Sequence, residues 1–255
     1  MWVQVKWPLK FFAAMILGFG IVNLAPKAHA QDLSMPPPEA DEAEAVETRT
    51  NGFTDYDPTL TKYAFISSAA VWSWPDRAPK VIYVCWENPA DGSSAHRQLV
   101  QQAIEEAWQA HSQLRFQGWS SCASNNRGIR IRIADDGPHT KGLGRFLDGR
   151  QDGMVLNFTF NTWSPSCAYS ESKRRSCIYT IAVHEFGHAL GYSHEQNRWD
   201  KPGDCLKPEQ GTPGDVLLTP YDPSSVMNYC NTTYNNNGQL SDYDKLALQS
   251  LYGRP

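Results

Sequence analysis

The segment from His184 to His194, which reads H-E-F-G-H-A-L-G-Y-S-H, constrains the fold more than any other feature of this sequence. His184 and His188 are one helical turn apart on the same face of a helix, so both imidazoles can reach one metal ion. On a continuing helix His194 would point about 240° away from His188, so the helix has to end before it. Gly191 permits that end, because glycine adopts the left-handed conformation that turns a chain back.

The same segment carries a pattern that is typical of metal-assisted hydrolysis. Three histidines with no fourth protein ligand at an obvious spacing describe an open zinc site, in which water takes the remaining position. Glu185 is rotated by about 100° from His184, so it is badly placed to coordinate the ion and well placed to touch that water. Zinc lowers the pKa of a water towards about 7, and Glu185 can then act as general base and pass the proton to a leaving amine.

A second motif strengthens this interpretation. Residues 224–229 read S-S-V-M-N-Y, and together with the histidine segment they resemble the metzincin zinc peptidases, in the astacin-like form of the Met-containing turn. The resemblance implies an α+β metzincin-like catalytic domain with two subdomains. It implies a twisted, mostly parallel sheet with two long helices in the N-terminal half and a loop-rich C-terminal half with a closing helix. The implied activity is that of a zinc endopeptidase with one catalytic ion.

The resemblance also assigns roles to single residues. Met227 is expected beneath the metal as an apolar floor, and Tyr229 near the zinc, where it helps to bind the oxyanion. Glu195 pairs with the processed N-terminus in that family, and an ordinary structural ion pair is the alternative here. Residues 142–147 resemble the edge strand on which an extended peptide substrate can pair.

Apolar periodicity predicts the remaining elements as strand, helix, four strands, helix, loop-rich tail and closing helix, which is an α+β order. The predicted strands are Val81–Trp86 and residues 114–119, 129–134, 142–147 and 154–160; the predicted helices begin at Ser93 or Ser94, cover about 178–190, and cover about 241–252. His96, His111 and His139 are expected to be structural or exposed, and the tryptophans at 72, 74, 86, 108 and 119 are expected to pack the core.

The N-terminal region predicts export. Residues 1–30 combine Lys6 and Lys10, a following apolar stretch and an A-H-A site, which is typical of a secretory signal peptide; a retained membrane anchor is the alternative, but the apolar stretch is short for one. Residues 31–60 are expected to be an acidic, proline-rich linker or pro-segment, and residues 61–255 the catalytic domain. The mature protein would be secreted or periplasmic, with no stable membrane insertion.

The six cysteines all follow the predicted leader. An even number in an oxidising compartment predicts three disulfides, and fifteen connectivities are possible. Pairing of neighbours is expected because each pair brackets a plausible loop, which gives Cys85 with Cys122, Cys167 with Cys177, and Cys205 with Cys230. Metal ligation by cysteine is disfavoured because no C-x-x-C spacing occurs.

Charge excludes one class of partner and leaves two rival functions open. The formal net charge of −4 disfavours nucleic-acid binding, so the expected partner is a peptide or protein substrate. A metzincin-like adhesin that keeps zinc without turnover is one rival, although it would have no use for Glu185. A hydrolase dedicated to one cell-wall peptide or protein is the other.

Overall fold

The computed structural model describes residues 64–255 of the chain. The predicted leader and the acidic segment lie outside the described residues, as do the first positions of the predicted catalytic domain. The strands are β1 Phe65–Ile66, β2 Val81–Trp86, β3 Arg115–Ser121, β4 Ile129–Ile133, β5 His139–Thr140, β6 Met154–Leu156 and β7 Val216–Leu217. The α-helices are α1 Ser94–Ile104, α2 Glu171–Ala189 and α3 Asp242–Tyr252.

The main sheet is mostly parallel, as predicted. Its strand order is β3-β2-β4-β6-β5, and only β5 runs antiparallel to its neighbour. Strands of a parallel sheet are buried and therefore consist mainly of apolar residues, and the sequence of β2 has this composition. The mixed sheet with its helices confirms the predicted α+β class.

Helix α1 packs against α2 and places a tryptophan between them. The helix continues as a π-helical turn over Glu105–Gln109, and the Trp108 indole in that turn donates a hydrogen bond of 2.9 Å to the Val183 carbonyl. Trp86 and Trp108 are fully buried, and Trp72, Trp74 and Trp119 are partly buried against the same core. The prediction that the five tryptophans pack the core is confirmed.

Helix α2 starts earlier than periodicity predicted. Ser170 caps it by accepting a hydrogen bond from the Lys173 amide, so the helix begins at Glu171. The residues of its first two turns are mainly polar and show no apolar periodicity. Periodicity therefore could not predict that these turns are helical. From Thr180 to Ala189 every residue is buried, so this half of the helix is enclosed on all sides.

The end of α2 is fixed by contacts with the segment around β1. Gly191 has φ +96°, the left-handed conformation that was expected there. The Ser67 amide donates to the Gly191 carbonyl, and the Ser193 amide donates to the Phe65 carbonyl in β1. Strand β1 also pairs with β7. The chain therefore turns back after α2 and is held there by a segment that lies far from it in the sequence.

Two predicted strands differ from the structure. Residues 142–147 are not a strand: Gly144–Leu147 forms a 3-10 helix, because Gly144 has a left-handed φ of +50° and lies against the Ala70 carbonyl. The edge strand is β5, immediately before. Strand β6 stops at Leu156 because the Asn157 side chain accepts hydrogen bonds from the next amides and folds a turn.

The three predicted disulfides are all present. They join Cys85 to Cys122, Cys167 to Cys177 and Cys205 to Cys230. None of the helices in the described range is long and apolar enough to cross a bilayer.

A largely buried ion pair at the carboxyl end of β2 generates a pH prediction. Glu87 and Arg130 have side chains that are 14% and 7% exposed, and their closest contact is 2.7 Å. The hydrogen bond from Arg130 lowers the pKa of Glu87 below its ordinary value of 4.5. The pair therefore stabilises the fold above about pH 4.5, and this contribution is lost as the pH falls through the lowered pKa.

We expect Glu87→Gln to lower the free energy of unfolding by about 1 to 3 kcal/mol at pH 7, with the difference from wild type shrinking below about pH 4. Urea denaturation across the pH range measures it. Glu209→Gln, at an exposed carboxylate without an ion pair in residues 64–255, is the control. A cost for Glu87→Gln that is independent of pH would contradict the prediction.

Candidate metal centre

Three buried imidazoles converge at the carboxyl end of α2. His184 and His188 come from the helix, and His194 comes from the segment that follows the Gly191 turn. The Nε2 atom of His194 lies 3.1 Å from the Nε2 atoms of both other histidines. These three residues form the only group of metal-ligating side chains found in residues 64–255.

Backbone carbonyls fix the tautomer of each ring. The Nδ1 atom of His184 contacts the Val226 carbonyl at 2.7 Å, and that of His188 contacts the Tyr192 carbonyl at 2.8 Å. The Nδ1 atom of His194 contacts the Gln210 carbonyl at 2.9 Å. A carbonyl oxygen only accepts, so each Nδ1 carries the proton and each Nε2 presents a lone pair to the centre.

This donor set fits a zinc ion. Three lone pairs at such short range repel one another unless a cation lies between them. Ligand nitrogens on tetrahedral zinc lie about 3.3 Å apart, because each Zn–N bond is about 2.0 to 2.1 Å long. Burial lowers the pKa of His188 to about 4 and that of His194 to about 3, and it also lowers the pKa of His184. The rings are therefore neutral, which is the form that binds a metal.

Glu185 lies next to the first ligand and has no ion-pair partner among the described residues. Its side chain is buried, and its Oε2 atom makes no hydrogen bond there. Burial raises the pKa of this carboxyl to about 8 in the absence of a metal. A divalent cation nearby would oppose that effect by stabilising the carboxylate.

Tyr229 reaches the same centre from the C-terminal half. Its hydroxyl lies 3.3 Å from the Nε2 atom of His184. Burial raises the pKa of the phenol well above its usual range, so the hydroxyl keeps its proton and can donate a hydrogen bond. The structure thus places Tyr229 beside the histidines, as the sequence led us to expect.

Met227 packs against the helix between its two ligands. A Cβ atom on Gly187 would lie 2.3 Å from the sulfur of Met227 and 3.3 Å from the ring of Trp108. The glycine of the H-E-F-G-H segment therefore leaves room for the methionine side chain.

Glu195 connects the third ligand to the turn that carries Met227. Its amide donates to the Met227 carbonyl, and its carboxylate accepts from the Asp222 amide at 2.9 Å. The carboxylate also pairs with the buried Arg198 at 3.0 Å. Among the described residues the structure thus gives Glu195 an internal ion pair, the alternative to a contact with a processed N-terminus.

Asp244 is a supporting residue that sequence reasoning missed. Its carboxylate accepts hydrogen bonds from the Ser225 hydroxyl and the Val226 amide, and so holds the carbonyl to which His184 donates. It also accepts from the Ser241 amide, which completes the capping box of α3. The S-x-x-D spacing at 241–244 is typical of a helix cap and could have predicted it. The same spacing could not have predicted that Asp244 also contacts a distant turn.

The other three histidines of residues 64–255 lie apart from the centre. His96 contacts Glu171 at 2.8 Å near the start of α2, and His139 lies in β5 with its Nδ1 atom 2.8 Å from the Gly137 carbonyl. His111 follows the π-helical turn after α1 and is partly buried.

We expect the purified protein to hold one zinc per chain, because the three ligands form a single cluster. His188→Ala should bind less than about a tenth of that zinc, and chelation should lower the melting temperature of wild type by several degrees, since a bound metal stabilises the folded state. Elemental analysis and thermal denaturation measure both. His111→Asn is the control and should keep its zinc; equal zinc in His188→Ala and wild type would refute the site.

We also expect Gly187→Ala to destabilise the protein by about 1 to 3 kcal/mol, because the added methyl overlaps the Met227 sulfur in a filled core. Gly203→Ala, where a Cβ atom meets nothing within 4 Å, is the matched control. Removing the overlapping atoms with Met227→Ala should make the double variant less destabilised than the sum of the single costs. Additive costs in urea denaturation would show that the two side chains do not interfere.

Comparisons with known proteins agree with this geometry. The family model for astacin, a peptidase family, matches residues 172–204, the stretch that carries all three histidines. Zinc metalloproteinase nas-25 of Caenorhabditis elegans is 31% identical over 157 residues, covering 56% of this chain and 34% of that protein. The chain thus spans about a third of the length of that curated relative.

Two solved structures share the fold. Myroilysin superposes with a TM-score of 0.52 at 20% identity, over 74% of this chain and 98% of that one. High choriolytic enzyme 1, a hatching enzyme zinc-protease from the medaka fish Oryzias latipes, gives a TM-score of 0.51 at 20% identity, over 76% and 100%. The described part of this chain therefore has an astacin-like metzincin fold, and its metal-binding segment is similar to that of the astacin peptidases.

Proposed function

We propose that this chain is an exported zinc endopeptidase that hydrolyses internal bonds of peptide or protein substrates. The observation that carries the proposal is the convergence of three Nε2 lone pairs beside an ionisable carboxyl group and a phenol, Glu185 and Tyr229. The matched astacin-family segment supports the same reaction class. Export is proposed from the leader-like residues 1–30, and the three disulfides support an oxidising compartment.

His184, His188 and His194 would hold the zinc. When bound there, zinc polarises the substrate carbonyl and makes a water molecule more acidic. Glu185 accepts the proton of that water as the oxygen bonds to the carbonyl carbon. It then delivers the proton to the amide nitrogen as the C–N bond breaks, so the same carboxylate acts first as base and then as acid.

Tyr229 is proposed as the hydrogen-bond donor for the oxyanion. Negative charge develops on the carbonyl oxygen in the transition state, and a donor already aimed at that position stabilises it without reorganisation. The hydroxyl of Tyr229 is protonated and lies beside a ligand nitrogen, which supports this role.

The edge of the sheet offers a place for the peptide. Strand β5 ends the strand order of the main sheet, where it pairs with β6. The outer backbone groups of an edge strand can hydrogen-bond an extended chain. We therefore place the substrate along β5, and not along residues 142–147 as the sequence suggested.

The rival function of a zinc-retaining binding protein is less consistent with these residues. Among the described residues, one oxygen of the buried Glu185 carboxyl group has no hydrogen bond, which is costly, and a protein that only binds gains nothing from it. A dedicated hydrolase shares the same centre and differs only in substrate, so it is an outcome of the test below.

We expect zinc-loaded wild type to cut a pool of unstructured peptides at internal bonds. Glu185→Gln should lower kcat/KM about 10²- to 10⁴-fold through loss of the proton acceptor. Tyr229→Phe should lower kcat about 10²-fold with little change in KM, because the lost donor acts only in the transition state. Mass spectrometry of the products gives the cleavage positions.

Glu105→Gln and Tyr169→Phe, at exposed positions outside the segments that hold the centre, are the matched controls and should keep wild-type rates. If zinc-loaded wild type cuts one protein but no peptide in the pool, the dedicated hydrolase is correct. If it cuts nothing, or if Glu185→Gln is as active as wild type, the proposed mechanism is wrong.

A further inference from the structure

The chain forms a short, buried turn directly after the third histidine. This turn is the 3-10 helix Glu195–Asn197, and none of its three residues is more than 8% exposed. All three side chains are polar, and buried polar groups are normally placed where they have a partner. The contacts of the turn therefore show which parts of the molecule it holds.

Two residues of the turn contact different parts of the centre. The amide of Glu195 donates to the carbonyl of Met227. The side chain of Asn197 accepts at 2.9 Å from the amide of Gln210, and the carbonyl of Gln210 orients the His194 ring. The turn thus connects the third ligand both to the Met-containing turn and to the loop that carries its own acceptor.

The middle residue of the turn, Gln196, holds the backbone of the phenol. Its Oε1 atom accepts a hydrogen bond of 3.1 Å from the Tyr229 amide, 33 positions later in the sequence. The neighbouring amides of Asn228, Cys230 and Asn231 bond to groups within residues 225–231. In the described part of the chain, the Tyr229 amide is the one of these four that a distant residue holds.

The burial of Gln196 limits what its side chain can do. The residue is 0% exposed, so it cannot touch a substrate. Its Nε2 atom makes no hydrogen bond with any described residue, and an unpaired buried donor lowers stability. An apolar side chain of similar length would avoid that cost but would leave the Tyr229 amide without this acceptor.

The backbone of Tyr229 determines where its hydroxyl lies. The hydroxyl is at the far end of a rigid ring with two rotatable bonds, so a small rotation of the backbone displaces the oxygen by a larger distance. It lies 3.3 Å from the Nε2 atom of His184. A displacement of about 1 Å at a reacting group can lower a rate about 10²-fold.

We propose that Gln196 is the positioning residue for the Tyr229 phenol. By accepting from the Tyr229 amide, it ties the backbone that carries the phenol to the turn that carries the third ligand. The hydroxyl and the metal-binding imidazoles then keep one relative position. This inference rests on the proposed function, because Gln196 acts on the reaction only through Tyr229.

Amide hydrogen exchange, followed by NMR on the zinc-loaded protein, tests the contact without any need for activity. The Tyr229 amide should exchange at least about 10-fold faster in Gln196→Met than in wild type, because its acceptor is lost while the volume of the side chain is kept. The Asn228 amide, which donates to the Ser225 carbonyl, should exchange equally in both. Equal exchange of the Tyr229 amide would overturn the proposal.

Gln196→Glu is a second variant that retains an acceptor oxygen at the same place. It should keep the slow exchange of the Tyr229 amide, whether its carboxyl group is charged or neutral. A Glu variant that exchanges as fast as the Met variant would show that the acceptor does not hold this amide. Gln102→Met, at an exposed glutamine of α1, is the matched control and should leave the exchange unchanged.

A kinetic double-mutant cycle tests the positioning role. Gln196→Met should lower kcat about 5- to 20-fold, with KM within about two-fold of wild type and with full zinc content, because the donor is displaced while binding is intact. In a Tyr229→Phe background, which has no hydroxyl to position, the same substitution should lower kcat less than about two-fold.

The outcomes separate this inference from the proposed function. An equal loss of kcat in both backgrounds would show that Gln196 acts through another group, and an unchanged kcat in Gln196→Met would show that it positions nothing. Either result in an active protein refutes the role of Gln196 alone. If zinc-loaded wild type cuts no substrate, the proposed function itself fails, whatever the exchange of the Tyr229 amide.

Discussion

The orientation of the three metal-binding imidazoles depends on hydrogen bonds from their Nδ1 atoms to backbone carbonyls. Each bond fixes which nitrogen carries the proton, and so aims a lone pair at one point. The acceptors come from three separate stretches, at Tyr192, Gln210 and Val226. The metal site is therefore as rigid as the contacts among these stretches, and the helix alone could not hold the third histidine in place.

Those contacts reach most of the domain. Strand β1 pairs with Tyr192 through Ile66, and the Asn197 side chain bonds both the amide and the carbonyl of Gln210. Asp244 at the start of α3 holds the Val226 turn. Elements near both ends of residues 64–255 thus close on the centre, which explains why a loop-rich C-terminal half can position ligands as firmly as a sheet would.

The sequence predicted the parts of the site that follow from local geometry. The spacing of His184 and His188 and the need for a turn at Gly191 are set by helical periodicity, and the neighbour disulfides follow from short loops. The carbonyl acceptors and Asp244 could not be predicted, because backbone groups and distant pairings leave no periodic trace. The incorrect prediction of a strand at residues 142–147 has the same origin. The apolar residues around Gly144 favour a strand, whereas its left-handed conformation lets the chain lie against the distant Ala70 carbonyl.

The disulfide between Cys205 and Cys230 joins two loops of the centre covalently. Cys230 directly follows Tyr229, and Cys205 lies in the loop that leads to the Gln210 carbonyl. One covalent bond therefore joins the proposed oxyanion donor to the segment that orients His194. In a chain that has not yet formed this bond, only noncovalent contacts join the third ligand to the phenol, among them the hydrogen bond from the Glu195 amide to the Met227 carbonyl. A chain in a reducing compartment would therefore carry the complete histidine motif on a looser centre and hold its metal less tightly.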